Sequence, residues 1–357
     1  MKIAQVSPLW ESVPPKLYGG TERVVSYITE ELVRQGHEVT LFASGDSTTS
    51  AQLVEACPKA LRLNSGIFNR DAPLTALMEM AFGSPRDFDL IHSHLDFFGF
   101  PLARRCRVPV VTTLHGRLDL PEMAPVYREF SELPLVSISH AQRSPLPWSN
   151  WVATVYHGIP RDLYRPQLHS GQYLAFLGRI APEKRPDHAI EIAKRTGLPL
   201  RIAAKVDPAD RDYFRNVIEP LLDHPLVEFL GEITDAEKSD FLGDAYALVC
   251  PYDWPEPFGL VLIEAMACGA PVIAYRRGSI PEIIDDGVTG FVCDSLDGMV
   301  EAVSQLPVID RTRCRQVFEE RFTVERMVRD YVATYEQILN DQATVSASSG
   351  GDVGLQV

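Results

Sequence analysis

The sequence predicts an α/β protein of two Rossmann-like domains, each a parallel sheet covered on both faces by helices. Three observations predict it. Short buried-type apolar runs alternate with segments of helical period. That series runs twice, with the polar stretch R-P-Q-L-H-S-G before the second run. A chain of 357 residues has the length of two domains.

The first series begins with a strand at Lys2–Ser7. Thr21–Gln35 carries apolar residues at 24, 25, 28, 32 and 33, the helical period, and Gly36 stops it. Strands are expected at Glu38–Ala43, Asp89–Ser93, Pro109–Leu114 and Leu135–Ser139. The second series opens with a strand at Tyr173–Gly178 and a helix at Pro186–Arg195. Strands at Leu200–Ala204 and Val227–Leu230, a helix at Thr234–Asp244 and a strand at Ala247–Cys250 follow. Strands alternating with helices require parallel pairing with both sheet faces covered. The break sets the domains at 1–166 and 167–321. The amphipathic segment Phe322–Asn340 turns Met327, Val328, Tyr331, Val332 and Tyr335 to one side. The end, 343–357, is small and polar without periodicity and is expected to be disordered.

Composition narrows the function. The chain is 45% hydrophobic and 23% charged, an ordinary globular profile. Its net charge of −14 argues against nucleic acid and against long-range attraction to an anionic membrane, while leaving room for a local basic patch and a peripheral membrane contact that nothing in the sequence indicates. The six cysteines form no C-x-x-C pair, and Cys250 and Cys268 lie in apolar runs, as reduced core residues do. The first ten residues read as a strand, not a signal peptide, and no run of 18 apolar residues exists. A cytoplasmic location is expected.

The most informative stretch is P-E-P-F-G-L-V-L-I-E-A-M-A-C-G, Pro255–Gly269. Glu256 and Glu264 bracket an otherwise apolar segment, and a helix with no polar face is buried all round. Eight residues of helix span roughly 12 Å, the reach from the sugar to the ribose of a nucleotide-diphosphate sugar. A buried carboxylate needs a partner. On spacing alone, Glu264 paired with a nearby Arg and Glu256 on an exposed loop is an equal alternative. The flanks favour a site. Pro255 and Pro257 place Glu256 in a turn. Gly259 clears space where the first helical N–H groups point outward, and such groups bind oxygen atoms. Gly269 and Pro271 end the helix, and Pro271–Tyr275 follows as a buried strand.

Three further segments carry candidates. Gly19 and Gly20 precede the first helix, where close backbone approach and the helix start can hold a diphosphate. A plain βα turn would look the same, but the Pro8–Gly20 loop is long for one. Arg179 and Lys184 follow the strand Y-L-A-F-L-G, where ligands bind in open α/β sheets and where cations stabilise a departing phosphate. A solvated basic loop is the alternative. His115 closes the strand P-V-V-T-T-L, and His94 stands in I-H-S-H-L-D. A lone histidine is more often structural.

These motifs together resemble those of the family 4 retaining glycosyltransferases, the glycosyl transferases group 1. E-P-F-G-L-V-L-I-E-A-M-A-C-G, G-R-I-A-P-E-K and Y-G-G-T-E-R stand in the family's order and span nearly the whole chain. The resemblance implies the GT-B fold: two Rossmann-like domains facing a cleft, an acceptor domain and a donor domain, with the C-terminal helix, 322–340, crossing back to the first. It assigns Arg179 and Lys184 to the donor diphosphate, Glu256 to the donor sugar and Glu264 to the ribose. The backbone of Phe258, Gly259 and Leu260 would line the sugar and phosphate. T-L-H-G matches the family's T-x-H, which brings His115 to the transferred sugar in an orienting or electrostatic role. Y-H-G-I-P departs from the family's N-G-[IV]-D, with His157 for Asn and Pro160 for Asp, so no role transfers to those two positions. Asp87-Phe88-Asp89 has a metal-binding D-x-D form but leads straight into a strand, and no catalytic metal or cofactor is expected.

The expected reaction is retaining transfer of a hexose, UDP-glucose being the first donor, to an unidentified acceptor hydroxyl. No carboxylate of the signature has the place of a covalent nucleophile, which favours a front-face route. A sugar-nucleotide epimerase of the same fold, or a nucleotide-sugar-binding protein without turnover, are the alternatives. The missing G-x-G-x-x-G and G-x-x-x-x-G-K-[ST] weaken an NAD enzyme and remove a P-loop kinase.

Overall fold

The computed structural model describes residues 1–16, 19–62, 64–83 and 87–349, the side chains of 345–349 excepted. The chain forms two compact units. The first comprises Met1–Ile138, Pro145–Tyr156 and the chain from Val324 onward; the second comprises Ser139–Ser144 and His157–Thr323.

The first unit is built on a parallel sheet. Its strands are β1 (Lys2–Val6), β2 (Glu38–Ser44), β3 (Gln52–Cys57), β4 (Leu90–Ser93), β5 (Val110–Thr113), β6 (Leu135–Ser137) and β7 (Trp151–Thr154), in the spatial order β3-β2-β1-β4-β5-β6-β7. The register pairs Ile3 with Val39 on one side and with Leu90 on the other, so β1 is central. The order reverses beside β1, which leaves a crevice at the carboxyl ends of β1 and β4. The core gathers Val6, Phe42, Leu77, Ile91, Phe100, Leu114 and Tyr127.

The second unit repeats the plan with β8 (Tyr173–Arg179), β9 (Leu200–Lys205), β10 (Val227–Gly231), β11 (Ala245–Cys250), β12 (Val272–Tyr275) and β13 (Gly290–Cys293), ordered β10-β9-β8-β11-β12-β13. The helix Leu260–Ala267 is apolar on all sides, and Leu262 through Ala267 are buried.

The expected strands and helices form, with ends shifted by one or two residues except at the end of the last helix. β3, β7 and β13 were not expected, nor the helices Asp71–Phe82, Leu296–Gln305 and Arg311–Arg321. All three unexpected strands are sheet edges.

Two boundaries differ from the sequence reading. The units divide at Tyr156 and His157, not at 166. R-P-Q-L-H-S-G is no free linker, because hydrogen bonds stitch it into the second unit. Gln167 N–H donates to Cys268 O at 2.9 Å, and Arg311 Nε donates to Gln167 O at 2.8 Å. Tyr164 just before it is buried. The last helix runs Val324–Ser349, past the point where a disordered tail was expected; residues 350–357 lie outside the described residues. This helix belongs to the first unit and packs on the helix Gly20–Arg34.

Asp89 enters β4 by exchanging hydrogen bonds with Lys2: its N–H donates to Lys2 O at 2.8 Å, and its Oδ2 accepts from Lys2 N–H at 2.7 Å. The carboxylate of the D-x-D form is thus a strand tie. The described cysteines are all free thiols, and burial pushes Cys250 up to about 12. No helix among the described residues is long and apolar enough to cross a membrane.

Candidate functional site

In the second unit the candidates converge where β8 and β11 end. β8 stops at Arg179, and the turn Pro182–Lys184 brings Lys184 back beside the loop after β11. Asp253 N–H donates to Glu183 O at 2.8 Å and ties the loop to that turn. Lys184 Nζ reaches Glu256 Oε2 at 2.5 Å. The Trp254 indole N–H donates to the same oxygen at 3.1 Å. The ammonium lies 3.9 Å from the Tyr252 ring centre and 4.9 Å from that of Trp254, a cation–π enclosure. Glu256 is only 8% exposed, so the alternative of an exposed loop carboxylate is excluded.

The backbone around Glu256 is held from behind. Ser279 N–H donates to Glu256 O at 2.9 Å, and Ser279 Oγ donates to Phe258 O at 2.9 Å. Ser139 Oγ donates to Pro257 O at 2.7 Å. Gly278 has φ +53, and a Cβ there would lie 2.3 Å from Glu256 O, so only glycine fits. Gly259 caps the helix Leu260–Ala267 at φ +84, and a Cβ would lie 3.0 Å from Leu262 Cδ1. The first N–H groups of that helix, from Leu260 on, follow directly.

Glu264 lies one turn further along. Its Oε1 accepts from Tyr164 Oη at 3.2 Å and from Lys238 Nζ at 3.2 Å, so its cation is a lysine, not the arginine considered from sequence. Its Oε2 is buried and has no hydrogen-bond partner. A buried lone oxygen of a carboxylate is costly, and a hydroxyl donor arriving there would offset that cost.

Arg179 is placed differently. Its guanidinium donates to Asp210 Oδ2 at 2.7 Å and to Glu183 Oε1 at 2.5 Å, with Asp207 Oδ2 at 4.0 Å. It is drawn to Glu183 of its own loop and to Asp207 and Asp210 of the loop after β9, and makes no described contact with Glu256 or Lys184.

In the first unit Gly19 is the cap of the helix Gly20–Arg34, which starts one residue earlier than expected. A Cβ on Gly19 would lie 2.8 Å from Pro15 Cβ, whereas one on Gly20 would meet nothing within 4 Å. Gly19 is therefore required by the loop's own packing and Gly20 is not. Leu17 and Tyr18 lie outside the described residues. Glu22, in the first turn, accepts the Glu11 N–H at 3.2 Å, and burial pushes its carboxyl up to about 7.

His115 is half-buried two residues beyond β5, and its Nε2 lies 2.9 Å from His94 Nδ1. Burial pushes it down to about 3, so the ring is neutral at ordinary pH. Asp96, beyond β4, adopts the left-handed region at φ +48. Burial raises its carboxyl to about 6, against the pull of a hydrogen bond from the His115 main chain. The sequence reading missed Tyr252, Trp254, Gly278, Ser279, Lys238, Asp96 and Gln5. Only Gln5, polar inside a buried strand, carried a visible signal.

The comparisons agree with this architecture. Residues 165–310 match the model of glycosyl transferases group 1, and residues 18–161 match that of glycosyltransferase family 4. The chain is 27% identical to a D-inositol 3-phosphate glycosyltransferase of Mycolicibacterium smegmatis, over 90% of this chain and 87% of that one. It is 26% identical to the protein of that name from Mycobacterium leprae, over 90% and 89%. Among solved structures, AviGT4 of avilamycin A biosynthesis superposes with TM-score 0.70 at 21% identity, covering 95% of this chain and 98% of that one. Anabaena HepE in complex with UDP and glucose superposes with TM-score 0.71 at 19% identity, covering 94% and 100%. Two parallel α/β units of the GT-B type carry the two matches, and together they identify the chain as a glycosyltransferase, residues 18–161 belonging to glycosyltransferase family 4 and residues 165–310 to the glycosyl transferases group 1.

Proposed function

We propose that the protein transfers a hexosyl group from UDP-glucose to an acceptor hydroxyl, with retention of anomeric configuration and without a catalytic metal. The observation that carries this reading is the pair of acids on one motif. Glu256 is clamped by a lysine and an indole, and Glu264 keeps a buried oxygen without a hydrogen-bond partner.

Glu264 Oε2 accepts a ribose hydroxyl in this reading. Glu256 holds the donor sugar, and the Phe258, Gly259 and Leu260 backbone receives sugar and phosphate oxygens. Lys184, already desolvated between two rings, shares its charge with the departing diphosphate. Negative charge there is greatest in the transition state, so Lys184 counts most at that point. Arg179 joins it by exchanging Asp210 or Glu183 for a phosphate oxygen. Gly19 and Gly20 with the helix behind them form a second oxygen-binding turn. His115 is neutral and orients the sugar without adding charge. The acceptor attacks on the face from which the diphosphate leaves, and a diphosphate oxygen takes its proton. Support for the donor is indirect: HepE, a protein of the same fold, has been solved with UDP-glucose. Most of the chain is also similar to glycosyltransferases named for D-inositol 3-phosphate.

The test is UDP release from UDP-glucose in EDTA, with an acceptor panel that starts from D-inositol 3-phosphate, and product configuration read by NMR. An α-linked product formed in EDTA is expected. A β-linked product, or activity that EDTA abolishes and Mg²⁺ restores, overturns the mechanism. UDP-glucose converted to another UDP-sugar without acceptor would make the protein an epimerase. Binding without turnover against the panel would leave a nucleotide-sugar-binding protein.

A further inference from the structure

A line of polar side chains crosses the first unit from His115 to the C-terminal helix. His94 Nδ1 lies 2.9 Å from His115 Nε2, and His94 Nε2 lies 2.9 Å from Gln5 Oε1. Gln5 Nε2 faces Tyr335 Oη at 3.5 Å and His92 Nδ1 at 3.4 Å. Tyr335 Oη stands 2.7 Å from His92 Nδ1, and His92 Nε2 stands 2.7 Å from Thr113 Oγ1. Thr113 Oγ1 meets Tyr331 Oη at 3.2 Å. Gln5, His92, Tyr331 and Tyr335 have no exposed surface, and His94 has almost none.

The amide of Gln5 gives this line a direction. Its carbonyl oxygen can only accept, so His94 Nε2 carries the proton. A neutral His94 then accepts at Nδ1, so His115 must donate from Nε2. A neutral His115 with its proton on Nε2 offers a lone pair at Nδ1. Beyond Gln5 the same sense continues: the amide N–H groups point at Tyr335, Tyr335 donates to His92 Nδ1, and His92 donates from Nε2 to Thr113. The opposite amide orientation would reverse every donor and leave His115 with the proton on Nδ1.

We propose that Gln5 and His94 are positioning residues that fix His115 as the Nε2–H tautomer, so that its Nδ1 meets the donor sugar as a hydrogen-bond acceptor and selects a sugar with a hydroxyl at that place. The tautomer follows from the buried line with the Gln5 carbonyl turned to His94; the sugar contact rests on the reading of His115 under the proposed function. Asp96 fixes the same residue from its other side, through the His115 main-chain N–H. His94 and Gln5 touch no substrate. They act through His115, as partners of metal-bound histidines fix ring orientation and tautomer elsewhere.

The experiment uses the full chain labelled with ¹⁵N-histidine. Long-range ¹H–¹⁵N correlation near pH 7.5 distinguishes the two neutral tautomers, and the His115→Gln variant assigns the signal. His115 and His94 are expected as Nε2–H tautomers in the protein without ligand. A His115 signal of the Nδ1–H type overturns the proposal. A second measurement compares binding of UDP-glucose with binding of UDP. In Gln5→Met the gain from the glucosyl group should fall about tenfold with UDP binding unchanged, and His115 should become a tautomer mixture. Gln5→Glu keeps an acceptor toward His94 and should restore both. A glucosyl gain unchanged in a folded Gln5→Met chain refutes the positioning role. If the wild-type chain gains nothing from the glucosyl group, the donor reading falls, while the tautomer is still decided by the spectrum alone.

Discussion

Glu256 shows how the site assigns work to single residues. It is buried, yet Lys184 and the Trp254 indole both converge on its Oε2. Glu256→Gln keeps the shape and the indole contact but removes the charge. Turnover should fall on the order of 10²-fold with the melting temperature nearly unchanged, the scale of lost transition-state electrostatics. A folded variant with near wild-type kcat would reject the role. Glu22 offers a test through pH. Its carboxyl is raised from 4.5 to about 7, so the folded state holds a proton that the unfolded state has released between those values. Its contribution to stability is therefore present at low pH and lost as pH rises through that window. Glu22→Gln does not suffer this loss. Its melting temperature should improve relative to wild type between pH 5 and 8, by an amount equivalent to at most about 3 kcal/mol. A relative decline over that range would show that Glu22 is ionised in the fold. His92 works in the other sense: burial pushes it down to about 3, so acid stabilises only the unfolded state below pH 6.5.

Among the elements, the loop Pro251–Gly259 depends on a segment that carries no chemistry itself. Gly278 approaches the Glu256 backbone so closely that no side chain fits, and Ser279 bonds the carbonyls of Glu256 and Phe258. Gly278→Ala adds one methyl at a left-handed position, which costs about 1 kcal/mol from the backbone alone. The contact at Glu256 O adds to this and must displace the loop. Activity should fall at least about tenfold, a displacement effect of the kind expected when a positioned group moves by an ångström. Lys184 and Glu256 should separate, readable as weakened donor binding. Wild-type kinetics in Gly278→Ala would show that the loop is positioned by Ser139 and its own prolines instead. The three unexpected strands make the complementary point. β3, β7 and β13 are edges, each paired on one side only, and it is that pairing in the fold, not a distinctive local pattern in Q-L-V-E-A-C, W-V-A-T or G-F-V-C, that makes them strands.

For the molecule as a whole, the decisive feature is that the last helix completes the first unit. Met327, Val328, Tyr331 and Tyr335 are fully buried, and Ile338 nearly so. Burial of one such apolar side chain contributes about 1.5–3 kcal/mol. Several together match the whole stability of a typical domain, about 5–15 kcal/mol. A chain ending at Thr323 should therefore fail to fold its first unit. Hydrogen exchange should show protection lost in β1, β4 and β5 and kept in β8 and β11. Retained protection in β1 would mean that the helix is an accessory. The helix also brings Tyr331 and Tyr335 to Thr113 and His92, so the first unit's polar line depends on residues more than 200 positions away in sequence.

The sequence by itself determined the fold class, because alternating short strands and helices leave parallel sheets as the solution that buries both faces. It determined the motif Pro255–Gly269 as well. An acid inside an all-apolar helix is costly unless a partner or ligand meets it, and the prolines before the helix and glycines at its ends open room for one. It left the partners of those acids open, and it misplaced a boundary. The polar, proline-bearing stretch after Tyr164 has a linker's composition, and only its hydrogen bonds to Cys268 and Arg311 place it inside the second unit. Tertiary structure alone decided that Lys184 faces Glu256, that Lys238 and Tyr164 hold Glu264, that Arg179 turns to Asp210 and Glu183, and that Gln5 stands behind His94 and His115. The reason is physical. Strand and helix periods are local properties that neighbouring residues encode. The partner of a buried charge or ring is whatever distant segment packing delivers to it, and no local pattern names that segment.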